Sequence, residues 1–287
     1  MKTAVVTDSA AYIDPKLVAQ YNITVVPITV IFNQHPYLEN VDIDSKTFFE
    51  KLRTEEKLPS TAQITMGQMQ STYDHLANEG YDEVISIHLS SGITGFFENL
   101  EALVSDYHRI TVHLFDSKIA SAGEANMALL AGKLASEGKN ADEIMPLLER
   151  ELQTTGVNFM VDDLHHLLRT GRISNSSAII GNLLKIKPLL TFNDKGQIIV
   201  DGKERTVKRA FRKILDNFAS SIDGADYPIR ATIIDANDEK VSENWLAQFK
   251  DEFPNIPVDT SHLGPVISVH TGEKTMGLVW AYDWQKA

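Results

Sequence analysis

Glu83-Val84-Ile85-Ser86-Ile87-His88-Leu89-Ser90-Ser91-Gly92-Ile93-Thr94-Gly95 is the stretch on which the fold turns. Glu83 to Leu89 has the length and β-branched content of a buried strand. It breaks into a hydroxyl-rich loop with glycines at 92 and 95, and a helix is expected from about Gly95 to Val104. Strand, loop and helix in that order form the repeating unit of a layered α/β sheet. Working outward, Lys2 to Thr7, Thr24 to Phe32 and Ile110 to Phe115 read as further strands. Ser117 to Glu137 and Ala141 to Gln153 read as helices, the second with an Asp-containing start and with Leu147, Leu148 and Leu152 at helical spacing.

The second half has a different rhythm. Ile186 to Phe192 and Gln197 to Val200, joined by Asn193-Asp194-Lys195-Gly196, read as a hairpin. Val207, Ala210, Phe211, Ile214, Leu215 and Phe218 keep helical spacing and leave Lys208, Arg209, Arg212 and Lys213 on the opposite face. Ala231 to Asp235 is expected as a strand, Ser242 to Phe253 as a helix, and strands are expected around Val258, Ile267 and Leu278. With the change of rhythm near 155 to 160, the expected organisation is an α/β domain over 1–157 and an α+β domain over 158–287.

Of the 287 residues 43% are hydrophobic and 23% charged, enough to bury a substantial core that an apolar ligand could share. There is no cysteine, which removes disulfides, thiolate chemistry and zinc-thiolate sites. The opening residues Met1 to Asp8 carry too short an apolar run for a secretory signal, and no stretch reaches the roughly 18 to 20 apolar residues of a spanning helix. The chain reads as cytoplasmic. A net charge of −12 argues against general nucleic-acid binding. Yet Arg169 to Lys213 holds 11 Lys or Arg against 3 Asp or Glu. That basic segment reads either as a helix with a solvated face or as a docking surface for a negatively charged partner, phosphate or membrane.

Ligands in α/β sheets collect beyond the carboxyl ends of strands. Thr7-Asp8-Ser9, Ser90 to Gly95 and Ser268-Val269-His270-Thr271-Gly272 are hydroxyl-bearing loops expected in such places, and Pro59-Ser60-Thr61-Ala62-Gln63 is another, after a charged helix from Ser45 to Lys57. In the second, glycines admit a close backbone approach, while Ser90, Ser91 and Thr94 offer donors beside a helix start, which suits a carboxylate or phosphate. The same residues equally serve as a helix cap. His270 reads equally as a structural histidine.

Thr7-Asp8-Ser9, Pro59 to Gln63, Ser90 to Gly95, Gly171-Arg172-Ile173-Ser174 and His270-Thr271-Gly272, with Leu184 to Leu190 between them, occur in the order and spacing of the DegV family, which the chain resembles from Lys2 to about Tyr282. The resemblance implies a two-domain fold: an N-terminal α/β/α layered parallel sheet, a C-terminal α+β domain, and a long-chain fatty acid enclosed between them. It implies a binding subunit rather than an enzyme, without cofactor or metal, that presents its acid to a fatty acid kinase subunit. Carried over by motif, Thr61 and Thr94 hold the carboxylate, with Ser91 and His270 in the same head-group pocket. Arg172 is implied for partner docking or head-group electrostatics; Arg205 and Arg209 in the basic segment join it as docking candidates, and a transient contact with a membrane surface goes with them. The chain departs from the pattern in two places: Thr94 stands where serine is commoner, and Glu273-Lys274 follows Gly272 where proline and glycine are common.

A long acyl chain has about 14 methylenes at roughly 0.8 kcal/mol each, a gross gain of about 11 kcal/mol before ordering costs. Phe96, Phe97, Ile179, Ile180, Leu183 and Leu184 are candidates for such a tunnel, each equally readable as plain core. The alternative is a serine-dependent hydrolase using Ser91, although Leu89 stands where a nucleophile elbow has glycine. Neither nucleotide-binding glycine motif is present, and Asp162, Asp163, His165 and His166 read as a polar face rather than a metal site. A purely regulatory interaction protein is the third reading, carried by the basic segment alone.

Overall fold

The computed structural model describes residues 1–162, 164–173 and 186–287. The chain opens with β1 (Thr3–Asp8), α1 (Pro15–Gln20), β2 (Ile23–Val26), β3 (Thr29–Phe32), β4 (His35–Leu38) and α2 (Ser45–Thr54). It continues through β5 (Ser60–Ala62), α3 (Met66–Asn78), β6 (Glu83–His88), α4 (Phe96–Ser105), β7 (Thr111–Asp116), α5 (Ala122–Ser136) and α6 (Ala141–Thr154). Then come β8 (Gly156–Met160), α7 (His165–Thr170), β9 (Lys187–Phe192), β10 (Ile198–Glu204) and α8 (Val207–Ser221). The remaining described elements are β11 (Ile229–Asp235), α9 (Glu239–Glu252), β12 (Val258–His262), α10 (Pro265–Thr271) and β13 (Met276–Tyr282).

A parallel sheet in the order β2-β1-β6-β7 forms the first half. All six residues of β1 and of β6 are buried, as the unbroken apolar runs suggest for strands covered on both faces. The second sheet is mixed, in the order β10-β9-β8-β13-β11-β12, and takes over from β8 onward. A three-stranded antiparallel sheet, β4-β3-β5, stands beside them. Helix α5 is buried along nearly its whole length, which its small residues (Ala122, Gly123, Ala125, Ala128, Ala131, Gly132) permit where it packs on β1, β6 and β13. The amphipathic α8 buries Ala210, Phe211, Ile214, Leu215 and Phe218 and exposes Lys208, Arg209, Arg212 and Lys213, as its spacing predicts. Phe211 stacks on Trp245 of α9 with centroids 4.0 Å apart, at the centre of the second sheet's own core.

Several expectations are corrected. Thr24 to Phe32 is not one strand: Pro27 has no N–H for a ladder, and the Ile28 N–H donates to Ser9 Oγ at 3.0 Å, so β2 and β3 part into different sheets. The helix expected from Ser117 starts only at Ala122, because Lys118 and Ser121 take φ of +54° and +56°. The helix after it does start with an aspartate, Asp142 in its first turn, and is capped by Asn140 with Glu143. Ser60 to Ala62 is a strand pairing with β3, Val30 opposite Thr61, rather than a loop. The strand expected around Ile267 is α10, begun by Pro265 at its first turn, so His270 sits on a helix. The basic segment is no single helix; it is divided among the end of α7, the β9–β10 hairpin and α8.

Candidate functional site

Loops from the carboxyl ends of β6 and β7, the strand β5, helix α10 and the turn end of the β9–β10 hairpin converge on one cavity. It is a concave, mostly apolar chamber walled by both halves of the chain, the kind of surface on which small-molecule ligands are held. The first half of the chain contributes Ile28, Leu89, Phe96 and Ile119 to its wall; the second contributes Phe159, Phe192, Ile234 and Val279. An elongated apolar ligand is what such a wall can desolvate.

Polar groups are few. Thr61 Oγ1 and His270 Nε2 lie 2.9 Å apart. Gln63 Nε2 donates to Thr94 Oγ1 at 3.1 Å, and Asn99 Nδ2 donates to Gln63 Oε1 at 3.2 Å, which fixes the amide's orientation. Arg172 lines the same cavity, just past Gly171, whose φ of +69° ends α7; its Nη1 donates to Thr170 O at 2.5 Å. Burial, and then the charges of Arg172, Arg169 and His166, push His270 down to about 3. The imidazole is therefore neutral at ordinary pH, in a field that favours an anion beside it.

The structure thus brings Thr61, Thr94, Arg172 and His270 to one cavity, and it places Ser91 next door. Ser91 lines an outer cleft that shares Thr94 and Arg172 with the cavity. Its hydroxyl accepts from Lys118 Nζ at 3.1 Å, and its N–H donates to Asp116 Oδ1 at 3.1 Å. Burial pushes Asp116 up, but the bonds from Lys118 and Ser91 outweigh it and hold the carboxyl below its ordinary range. Since Ser91 takes its hydrogen bond from an ammonium rather than an imidazole, the serine–histidine pair of a hydrolase is not formed there. Arg205 and Arg209 are exposed and lie at neither cavity nor cleft; Arg209 Nε pairs with Glu204 Oε2 at 3.0 Å.

Other motif residues have structural work. Asp8 accepts from Ala10 N–H, Leu89 N–H and His88 Nδ1, at 3.0, 3.1 and 3.0 Å, tying the first loop to the second. Beneath them Glu124 is fully buried and its carboxyl is raised well above its ordinary range, by burial first and by Asp8 second. Glu39 is raised to about 8, chiefly by burial. Glu273, one of the departures, accepts from Arg53 Nη1 at 2.6 Å and from Asn237 Nδ2 at 2.5 Å. Phe96 lines the cavity, whereas Phe97 faces the outer cleft. Ile179, Ile180, Leu183 and Leu184 lie outside the described residues, as do Asp163 and Ser174. Asp162 pairs with Lys187, and no group of three or more His, Asp or Glu among the described residues is arranged to hold a metal ion. No described helix is long and apolar enough to cross a membrane.

Sequence reasoning missed Gln63, Lys118, Asp116 and Ser121. Gln63 had a signal, standing two places from Thr61 so that an extended chain sends both side chains the same way. The other three lie at or just beyond the end of a strand, where only the turn's geometry reveals their direction.

The model of the DegV family matches residues 2–283. A DegV domain-containing protein of Halalkalibacterium halodurans is 40% identical over 279 residues, 97% of this chain and 98% of that one. Protein DegV of Bacillus subtilis is 39% identical over 286 residues, covering 98% and 100%. Among solved structures, DegV of Bacillus subtilis, described as a fatty acid binding protein, aligns at a TM-score of 0.90 with 37% identity over 98% of this chain and 99% of that one. A DegV family protein from Thermus thermophilus, described by its fatty acid binding, aligns at 0.89 with 30% identity over 98% and 100%.

Proposed function

The chain belongs to the DegV family, and we propose that it holds one long-chain fatty acid in the cavity between its sheets. The observation that carries this reading is an apolar chamber whose polar groups, Thr61 with His270, Thr94 with Gln63, and Arg172, can all address one carboxylate. Solved relatives at 37% and 30% identity are described as fatty acid binding.

In this reading Thr61 and Thr94 donate to the carboxylate with His270 close by. Ser91 acts one step outside, in the cleft next to Thr94. Neutral hydroxyls fix the acid's orientation without burying a cation, and Arg172 at the junction of cavity and cleft balances the charge. The chain then works as a binding subunit in the cytoplasm, with two units over 1–157 and 158–287, a division supported by the change of sheet between α6 and β8. A kinase subunit phosphorylates the carboxylate from the cleft side, docking on Arg172, Arg205 and Arg209. The exposed basic face of α8 is suited to brief contact with an anionic bilayer.

Native mass spectrometry of the purified protein, followed by lipid extraction, tests the reading. The expected result is a mass increment of one fatty acid that disappears on delipidation and returns on adding oleate or stearate. Protein that is lipid-free as isolated and takes up neither acid would overturn it.

A further inference from the structure

One polar group in the cavity wall is not used by carboxylate capture. Ser121 is 4% exposed, lines the cavity beside Ile119 and Ala120, and its Oγ has no hydrogen-bond partner among the described residues. A buried hydroxyl without a partner is costly, and here it is accompanied by backbone strain, with φ of +56° and ψ of −138° at a residue that is not glycine. Ser121 also stands at the start of α5, a helix of 15 residues that no described side chain caps. The first-turn N–H groups, on the buried Ala122, Gly123 and Glu124, have no partner within the helix.

We propose that Ser121 and the opening turn of α5 form a second polar subsite in the cavity, one that takes an uncharged oxygen on the acyl chain. The occupant is a hydroxylated fatty acid, its secondary hydroxyl donating to Ser121 Oγ and accepting from the helix N–H groups or the serine. A bare helix start alone would favour an anion. Asp8, hydrogen-bonded to His88 and Leu89 and near enough to help raise the carboxyl of Glu124 in the same first turn, opposes a second negative charge there and selects a neutral group instead. A second carboxylate is disfavoured for the same reason. The inference rests on the fatty acid reading above and adds to it a discrimination among acids.

The test compares stearate with positional isomers of hydroxystearate on the full chain and on Ser121→Ala and Ser121→Gly. Glycine suits the positive φ and guards against a folding defect. In an apolar chamber without a subsite every isomer binds roughly tenfold or more weaker than stearate, because its hydroxyl goes unpaired. The expected result is one isomer that binds at least as tightly as stearate and loses roughly tenfold in both variants, while stearate itself changes less than about twofold. If all isomers are weaker than stearate and the variants leave those ratios unchanged, the subsite is overturned and fatty acid capture stands. If stearate does not bind either, the underlying reading falls and the subsite falls with it.

Discussion

Thr61 and His270, 209 positions apart in the chain, meet at 2.9 Å between Oγ1 and Nε2. The direction of that bond follows from what surrounds the ring. His270 is neutral, and its Nδ1 is buried without a partner among the described residues. An unused lone pair is tolerated in a core better than an N–H with no acceptor, so the hydrogen belongs on Nε2. The imidazole then donates to the threonine oxygen, and the threonine hydrogen is left to donate to a carboxylate.

Replacing that hydroxyl is the direct check. Thr61→Val keeps shape and removes the donor, and a hydrogen bond to a charged group is worth about 1.5–3 kcal/mol. Thr61→Val should weaken fatty acid binding about tenfold or more, and Thr61→Val with Thr94→Val further still. Displacement of a fluorescent fatty acid measures it. Unchanged affinity in the double variant would remove both residues from the head-group site.

Docking can be separated from capture because the three arginines are not together. Arg172 lines the cavity, whereas Arg205 and Arg209 stand away from it. Arg205→Glu with Arg209→Glu should leave fatty acid affinity within about twofold and slow acyl phosphate formation by a kinase subunit about tenfold. A rate equal to the parent's would exclude this pair from the interface.

The tip of the β9–β10 hairpin seats on the loop after β6. Ser90 Oγ donates to Gly196 O at 2.8 Å, and a Cβ added at Gly92 would collide with the backbone of Gly196 and Lys195. Backbone cannot yield as a flexible side chain can, so Gly92→Ala should cost roughly 1–3 kcal/mol or more. Gly67→Ala in α3 has open space around it and should be neutral or slightly stabilising. Thermal unfolding of the two side by side gives the answer; equal melting temperatures would mean the hairpin is not tightly seated.

Glu151 in α6 is fully buried, both carboxyl oxygens lack partners among the described residues, and burial, with Asp283 second, raises it to about 8. A carboxyl raised in the folded state is protonated there while the unfolded chain has already ionised. Its share of stability is whole below about 4.5 and is lost as pH rises towards 8. Glu151→Gln should remove that loss, flattening the alkaline side of the stability curve by an amount of order 3 kcal/mol. Urea midpoints at about pH 5 and about pH 9 would show it. A variant as pH-sensitive as the parent would mean that Glu151 is ionised in the fold.

β1, β6 and β7 of the parallel sheet, helix α6 and the β9–β10 hairpin were legible because hydrophobic period and turn residues agree with the fold there. The gathering of Thr61, Thr94, Arg172 and His270 came from motif order, since spacing alone gives no distances. What escaped has identifiable causes. Lys118 and Ser121 adopt positive φ without glycine to signal it, so a strained loop passed for a helix. Val266, Ile267 and Val269 favour a strand, but Pro265 and burial of Val266, Ser268 and Val269 make a helix there. Ser90, Ser91 and Thr94 are equivalent as letters; only the turn decides that the first meets the hairpin, the second Lys118, and the third Gln63.

β13 lies between β8 and β11, antiparallel to both, and these two strands share no ladder among the described residues. On a ribosome, where segments emerge in chain order, β10-β9-β8 and β11-β12 can exist only as separate fragments until Met276 to Tyr282 slots in. Val279 of that strand is also part of the chamber wall. A nascent chain therefore cannot enclose a lipid while that strand is still unmade; the lining is completed by a segment more than a hundred residues after β8, and loading waits on it.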